Sequence, residues 1–447
     1  MTMDYRRLMV GGACLGAVAA LACAPARAKD SYPLRELVEC SPRGGLPNFL
    51  ARLRSGGEVK VAYLGGSITS QKGYRVYSRE WFQKSFPRAR VSEINAAIGG
   101  TGSNLGVFRL RHDVLRFKPD LMFVEFAVND SGTRPADIKK SMEGIIRQTW
   151  RELPTCDICY VYTFTHSHVG DMLNGKMHRA ASVDEEIADH YSIPSIHMGA
   201  KAAALLKDGK LEMKAQQVKM TRVSGDELNV ASTLPVNSNG KIPFSRDGVH
   251  PYLDTGHRLY MAAIARSMPG IMARGRRGRH VLGRPLVADN WEKAAMIPLD
   301  AARRTGPWHK LDPASDTNAK RFAQRVPGLW KGQPGATVAF RFRGTKVSMY
   351  DILGPGCGYI EYEVDGRKRE SRRMDGYCTY YRLATLGCAD NQPNTVHTVR
   401  ITVLDRKFDK NAVLFERNRH DFRKNPQKYA ATDWYVGAIF IIGEMVK

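Results

Sequence analysis

Acid is what this sequence is short of. Against 68 lysines and arginines stand 44 aspartates and glutamates, a formal net charge of +24 over 447 residues. That balance favours anionic partners: acidic polysaccharide, lipopolysaccharide, a membrane surface or nucleic acid. Long apolar runs are scarce as well. The one at the N-terminus, Leu8 to Ala24, is Gly/Ala-rich and short for a membrane span, so stable membrane insertion is not expected. Repeats and long low-complexity tracts are absent, which excludes solenoid and linker-dominated architectures.

The same apolar run follows Arg6 and Arg7 and precedes Ala26-Arg27-Ala28, an A-x-A pattern of signal-peptidase cleavage. A signal peptide over residues 1–28 is therefore expected, with a mature chain starting near Lys29 in the periplasm or outside the cell. The stretch "YRRLMV" also fits a twin-arginine signal loosely and ranks below the general secretory route. Ala20-Leu21-Ala22 before Cys23 is a poor lipoprotein match. Losing Arg6, Arg7, Arg27 and Asp4 takes the net charge from +24 to +22. Export argues against nucleic acid as the anionic partner. Basic residues concentrate at Arg274–His280 and Arg367–Arg373, each readable as a solvated surface or as a binding patch.

Cysteine is sparse but even in number outside the leader: Cys40, Cys156, Cys159, Cys357, Cys378 and Cys388. Disulfides are allowed in an exported chain, and Cys378–Cys388 is the expected local bridge. Cys156-x-x-Cys159 leads into the strand-like "ICYVYTF" rather than opening a helix, so it reads as structural.

From Glu58 to Ser267 short apolar strands alternate with amphipathic helices. "EVKVAYL", "RVSEINA", "DLMFVEFA", "ICYVYTF" and "IPSIHM" are the expected strands, and the near-continuous apolar character of the third suits a parallel sheet covered on both faces. Lys207–Ser245 is polar and poorly periodic, an insertion over the carboxyl edge of the sheet. Beyond "RGRRGRHVLGRP" the pattern changes to period-two runs, "TVAFRFRG", "KVSMYDIL", "YIEYEVDG", "HTVRITVLD" and "YVGAIFIIG", broken by Gly and Asp-Gly turns, which predict an all-β antiparallel sandwich. The expected division is 1–28 leader, 29–275 α/β domain and 286–447 sandwich.

Four polar stretches fall at strand ends of the first domain, where ligands bind in open α/β sheets. They are Gly65-Gly66-Ser67-Ile68-Thr69, Gly99-Gly100-Thr101-Gly102-Ser103, Ala127-Val128-Asn129-Asp130 and Asp247-Gly248-Val249-His250-Pro251. Serine acyl transfer needs a nucleophile, a base, a group orienting the base, and donors for an oxyanion. Ser67 at a strand-to-helix turn suits the first, His250 the second, and Asp247 the third. Ser67 N–H, Gly100 N–H and the Asn129 amide suit the last. Counting from Asn95 through "NAAIGG" chooses Gly100 over Gly99. Alone, Ser67 reads as turn filler; the ordered set changes that.

These stretches resemble the four ordered motifs of the SGNH hydrolase (GDSL-like esterase/lipase) superfamily, over about Glu58 to Ser267. Carried over motif by motif, the resemblance assigns catalysis to Ser67, Asp247 and His250 and the oxyanion hole to Ser67, Gly100 and Asn129. It implies a flavodoxin-like three-layer α/β/α domain and ester hydrolysis with no metal and no cofactor. Gly-Gly-Ser-Ile-Thr in place of Gly-Asp-Ser-Leu is a form common among carbohydrate-active members, and the sandwich resembles the jelly-roll modules of several carbohydrate esterases. The implied substrate is an acetylated carbohydrate or polysaccharide, its charge balance suggesting an anionic one. The alternatives are a polysaccharide O-acetyltransferase, a lipid or short-chain esterase, and a non-catalytic glycan-binding protein.

Other signals are discarded. Thr69 stands where the G-x-S-x-G elbow of the α/β-hydrolases has its final glycine, and Leu105 breaks a G-x-G-x-x-G pattern. His166-Ser167-His168 lacks further ligands at metal-site spacing. Tyr74 and Arg75 read equally as substrate-facing or as helix packing, and Asp130 as structural support.

Overall fold

A computed structural model describes residues 32–218 and 234–446; the expected leader lies outside the described residues. The strand predicted first, β2 (Gly57–Gly65), follows a two-residue β1 (Cys40–Ser41) and α1 (Pro47–Ser55). Then come α2 (Ser67–Ser70), α3 (Tyr74–Ser85), β3 (Ala89–Asn95), α4 (Ser103–Asp113), β4 (Leu121–Glu125), α5 (Pro135–Glu152) and β5 (Asp157–Tyr162). The α/β part ends with α6 (Val169–Leu173), α7 (Arg179–Tyr191), β6 (Ser195–His197), α8 (Ala200–Lys207), β7 (Leu211–Lys214), β8 (Ile242–Ser245) and α9 (Gly256–Met272).

The strands line up as β1-β6-β5-β4-β2-β3, all parallel except β1, which adds to the β6 edge antiparallel. Taking the five parallel strands in chain order gives 2-1-3-4-5, the flavodoxin-like arrangement, with its switch point beside β2. Side-chain alternation divides the core into two layers. Val59, Val61 and Tyr63 of β2 face the apolar layer built with Phe49, Phe82 and Ile264 of α1, α3 and α9. Intervening residues such as Ala62 and Leu64 are equally buried, toward the other face. The predicted insertion contributes β7 and β8, which pair in parallel and lead into Asp247.

After α9 the chain runs back along α5. Glu143 accepts the backbone N–H groups of Leu286 and Val287, and Trp291 N–H donates to Lys140. The β domain follows: β9 (Ala294–Pro298), β10 (Arg303–Thr305), β11 (Trp308–Leu311), α10 (Thr317–Phe322), β12 (Leu329–Gly332), β13 (Thr337–Leu353), β14 (Tyr359–Val364), β15 (Arg367–Arg372), β16 (Arg382–Ala389), β17 (Thr395–Val403) and β18 (Trp434–Val446). All ten strands join one continuous antiparallel sheet. "TVAFRFRG" and "KVSMYDIL", expected as two strands about a glycine turn, are the single strand β13. Gly344 marks a bulge there: a Cβ on it would lie 2.1 Å from the Ile442 carbonyl oxygen, so glycine serves close strand approach. The first half of β13 pairs with β17 and the second with β16, so the sheet splits and curls around its core. The domains meet where Phe108 of α4 stacks on Phe440 of β18, centroids 4.9 Å apart.

The expected Cys378–Cys388 bridge does not form; all six described cysteines are free. Cys388 sits in the main β-domain core, and Cys378 packs in a separate cluster with Met374, Leu414 and Tyr429. Cys156 and Cys159 are buried on and beside β5, where burial pushes both thiols well up. Arg373, from the run readable as solvated surface or as binding patch, is buried and clamps Asp351 through contacts of 2.6 and 2.7 Å, while Trp434 Nε1 donates to the same carboxylate at 2.8 Å.

Behind the Asn129 turn lies a stack of buried imidazoles. His168 lies face to face on His178 at 4.0 Å, and His178 meets His197 edge-on at 6.0 Å. Burial holds His168 down to about 4, His197 down to about 3, and His178 well below the usual range.

Two outcomes follow for stability. Arg373→Ala strands a buried carboxylate and should lower the unfolding free energy by about 3–5 kcal/mol in urea titrations. The histidines fold in the neutral form, so their stabilisation is complete above about pH 6.5 and is lost as pH falls toward their folded values. Between pH 7 and 5, His178→Phe should therefore make stability fall less steeply than in the wild type. The difference is at most about 1.4 kcal/mol per pH unit, the value of one proton.

Candidate active site

Ser67 opens α2 immediately after β2, at the carboxyl edge of the sheet. The tight passage explains both preceding glycines. A Cβ on Gly65 would lie 2.6 Å from Thr69 Oγ1 and 2.7 Å from the Glu125 carbonyl oxygen. One on Gly66 would lie 1.9 Å from Asn129 Oδ1. The first and third loops are thus in contact along bare backbone, which sets the Asn129 side chain beside Ser67.

His250 reaches Ser67 from the segment after β8. Its Nε2 lies 2.8 Å from Ser67 Oγ and its Nδ1 lies 2.7 Å from Asp247 Oδ2. The carboxylate at Nδ1 fixes the tautomer, so Nε2 accepts from the serine hydroxyl. Asp247 is itself locked, its Oδ1 accepting the backbone N–H groups of Val249 and His250 at 2.8 Å each. Although burial opposes ionisation, the ring and backbone of His250 and the Val249 N–H hold this carboxyl down to about 2. The turn depends on Gly248, whose φ of +82° belongs to the left-handed region and whose Cβ would sit 2.9 Å from that of His166. His166 N–H in turn donates to the Gly248 carbonyl at 2.7 Å, and Gly248 N–H donates to Ser245 Oγ at 2.8 Å.

The second loop closes the other side. Gly99 faces the nucleophile, since a Cβ there would stand 3.5 Å from Ser67 Cβ. Gly100 has φ +73° and open space around it. The approach to this loop is pinned by Ile98 N–H on the Gly65 carbonyl, Ala96 N–H on the Tyr63 carbonyl, and Arg325 of the β domain on the Ala97 carbonyl. Asp130 anchors the start of α4 by accepting Ser103 N–H at 3.1 and 3.3 Å. Burial raises its carboxyl to about 6 against those donations.

Ser67, Asn129, Asp247 and His250 therefore come together at one carboxyl-edge site, and Gly100 follows Gly99, the residue of its loop that packs against Ser67. His166-Ser167-His168 supports it structurally: His166 N–H holds the Gly248 carbonyl, and His168 Nε2 meets Ser131 Oγ at 3.0 Å. Among the described residues no group of three or more His, Cys, Asp or Glu could hold a metal ion. Tyr74 and Arg75 are buried, resolving them as packing.

Two further residues, neither part of the four stretches, hold the site in place. Glu125 ends β4 fully buried, directly beneath the site. It accepts Thr69 Oγ1–H at 2.8 Å and Thr163 Oγ1–H at 2.6 Å, and also receives the Gly66 and Val128 backbone N–H groups. Burial pushes its carboxyl up, and those four donors work against the shift. One side chain thus ties the ends of β2, β4 and β5 together. An acid in an otherwise apolar strand was the available signal. His257 is the second. Its Nδ1 accepts Tyr74 N–H at 3.2 Å and its Nε2 faces Gln71 Oε1 at 3.0 Å, while Gly73 leaves room for its ring. It fixes the stretch after the nucleophile, and burial holds it down to about 3.

Residues 63–217 match the model of the GDSL-like Lipase/Acylhydrolase family. No curated protein matches the chain. Among solved structures, a two-domain esterase active on acetylated mannans, co-crystallised with mannopentaose, aligns with TM-score 0.64 at 19% identity, covering 93% of this chain and 100% of that one. Another structure of a two-domain esterase of that description aligns with TM-score 0.63 at 20% identity, covering 91% and 97%. At that identity the likeness is one of fold, and it extends over both domains. Over residues 63–217, which hold three of the four loops gathered at one sheet edge, the α/β part carries a GDSL-like lipase/acylhydrolase (SGNH) domain.

Proposed function

We propose that the protein is an exported serine esterase that removes O-acetyl groups from a carbohydrate. The observation that carries this reading is the unbroken hydrogen-bonded chain from Ser67 Oγ through His250 to Asp247, at 2.8 and 2.7 Å. Ser67 Oγ attacks the ester carbonyl carbon as His250 Nε2 takes its proton. Asp247 holds the imidazole in place and stabilises the imidazolium that forms. Negative charge developing on the carbonyl oxygen is met by Ser67 N–H, Gly100 N–H and the Asn129 side-chain amide. His250 then returns its proton to the leaving sugar oxygen, giving the free hydroxyl and an acetyl-serine. Water, deprotonated by His250, attacks that ester, and collapse of the second tetrahedral species releases acetate and restores Ser67.

Carbohydrate as the acetyl carrier is supported by the fold shared with the two-domain mannan-active esterases and by the β domain packed beside the site. The net charge of +24 favours an anionic glycan. Water is the acceptor in this reading; a sugar hydroxyl in its place would make the same site a transferase, which acetyl transfer measured alongside hydrolysis distinguishes.

Ser67→Ala should lower acetate release from acetylated glycans by about 10³-fold or more with an unchanged circular-dichroism spectrum; wild-type turnover in that variant contradicts the assignment. Asn129→Ala should cost about 10²–10³-fold in kcat. Gly66→Ala should cost a comparable factor, because its Cβ displaces Asn129; full activity in either variant removes Asn129 from the oxyanion hole. N-terminal sequencing of the exported protein should find a start near Lys29, and retained Met1 would refute the leader.

A further inference from the structure

Beside the nucleophile the two domains enclose a cavity of about 650 Å³. One wall is the loop from Ile98 to Leu105, which carries Gly99 and Gly100. The facing wall belongs to the β domain, with Arg321 of α10, Tyr350 of β13, and Tyr380 and Arg382 leading into β16. Gly99 joins the cavity to the chemistry, because it lines the one and packs against Ser67 in the other.

The lining has one sign of charge. Arg321 and Arg382 line it, and no aspartate or glutamate does. Arg382 is already engaged by Asp375. Arg321 is exposed and lies over the Tyr380 ring at 5.7 Å, so its positive charge is presented to the cavity beside an aromatic face. Tyr380 is 46% exposed, one of few large aromatic side chains left open to solvent.

We propose that this interdomain cavity is a glycan subsite for a carboxylate-bearing sugar, the unit next to the one deacetylated at Ser67. Arg321 pairs with the carboxylate, its planar fork matching the two oxygens. The apolar face of the ring packs on Tyr380. The placement of the acetyl group rests on the serine-esterase reading, but occupancy of the cavity is a matter of binding alone.

Binding is measured by calorimetry in the Ser67→Ala background, which holds substrate without turnover, using trigalacturonate against mannotriose. The acidic trimer should bind at least tenfold tighter, and Arg321→Glu should bring that ratio close to one. Arg321→Gln should give an intermediate ratio, and thermal melts verify that both variants fold. Arg90→Glu, a charge reversal at a site 78% exposed and outside the cavity lining, should leave the ratio as it was. No preference for the acidic trimer overturns the proposal, as does an equal loss of preference in the Arg90 and Arg321 variants, which would indicate diffuse charge. Acetate release by the wild type is followed in parallel. Its absence with an intact Arg321-dependent preference sinks the esterase reading alone, and its presence without that preference sinks the subsite alone.

Discussion

A buried carboxylate at the end of β4 holds the site together. Glu125 gathers donors from Gly66 and Thr69 after β2, Val128 after β4 and Thr163 after β5, in a place where water cannot substitute for any of them. Loops at a sheet edge are ordinarily the freest part of an α/β fold. Here three of them share one acceptor, and the contact of Gly66 with Asn129 leaves no slack between two. Ser67 and Asn129, the proposed nucleophile and oxyanion donor, therefore inherit their relative placement from the sheet. Leaving any of those donors unmatched in this buried position is costly, which makes the arrangement cooperative rather than a sum of separate turns.

The fourth loop is built differently. Asp247 and His250 stand half exposed on a segment after β8, outside the main sheet, and owe their geometry to local backbone: the left-handed Gly248 and two N–H groups on one carboxylate oxygen. The acid and base are thus preorganised as a unit, and the unit is docked on Ser67 by the His166–Gly248 backbone bond. A rigid half carries the proposed nucleophile and oxyanion donors, and a short self-locked stretch of chain carries the proposed proton-transfer pair. The β domain adds a third support through Arg325, which donates to the carbonyl just before the Gly99–Gly100 turn.

What the sequence disclosed follows from the range of the forces involved. Ser67, Gly100, Asn129, Asp247 and His250 are legible because each lies in a short stretch whose turn chemistry is local and whose order along the chain is diagnostic. The central strands β4 and β5 are legible because continuous apolar runs report burial on both faces. Glu125 was hidden, since its meaning lies in partners from Gly66 to Thr163 that only the fold assembles. Arg373 was hidden for the same reason, its run looking solvated until Asp351 and Trp434 are seen to enclose it. Proximity in sequence misled at Cys378 and Cys388, whose side chains belong to different apolar clusters. Gly344 misled as a turn, because a glycine that allows close strand approach reads the same as one that ends a strand. The meeting of Phe108 with Phe440, and with it the cavity beside Ser67, has no local signature at all.

The account stands or falls on a covalent bond to one oxygen. Rapid acid quenching of the protein during turnover of 4-nitrophenyl acetate, followed by peptide mass mapping, reads that bond directly. The account predicts a single acetyl group, carried by Ser67 and lost as turnover completes; turnover with no acetylated peptide, or with the acetyl group on another residue, would contradict it.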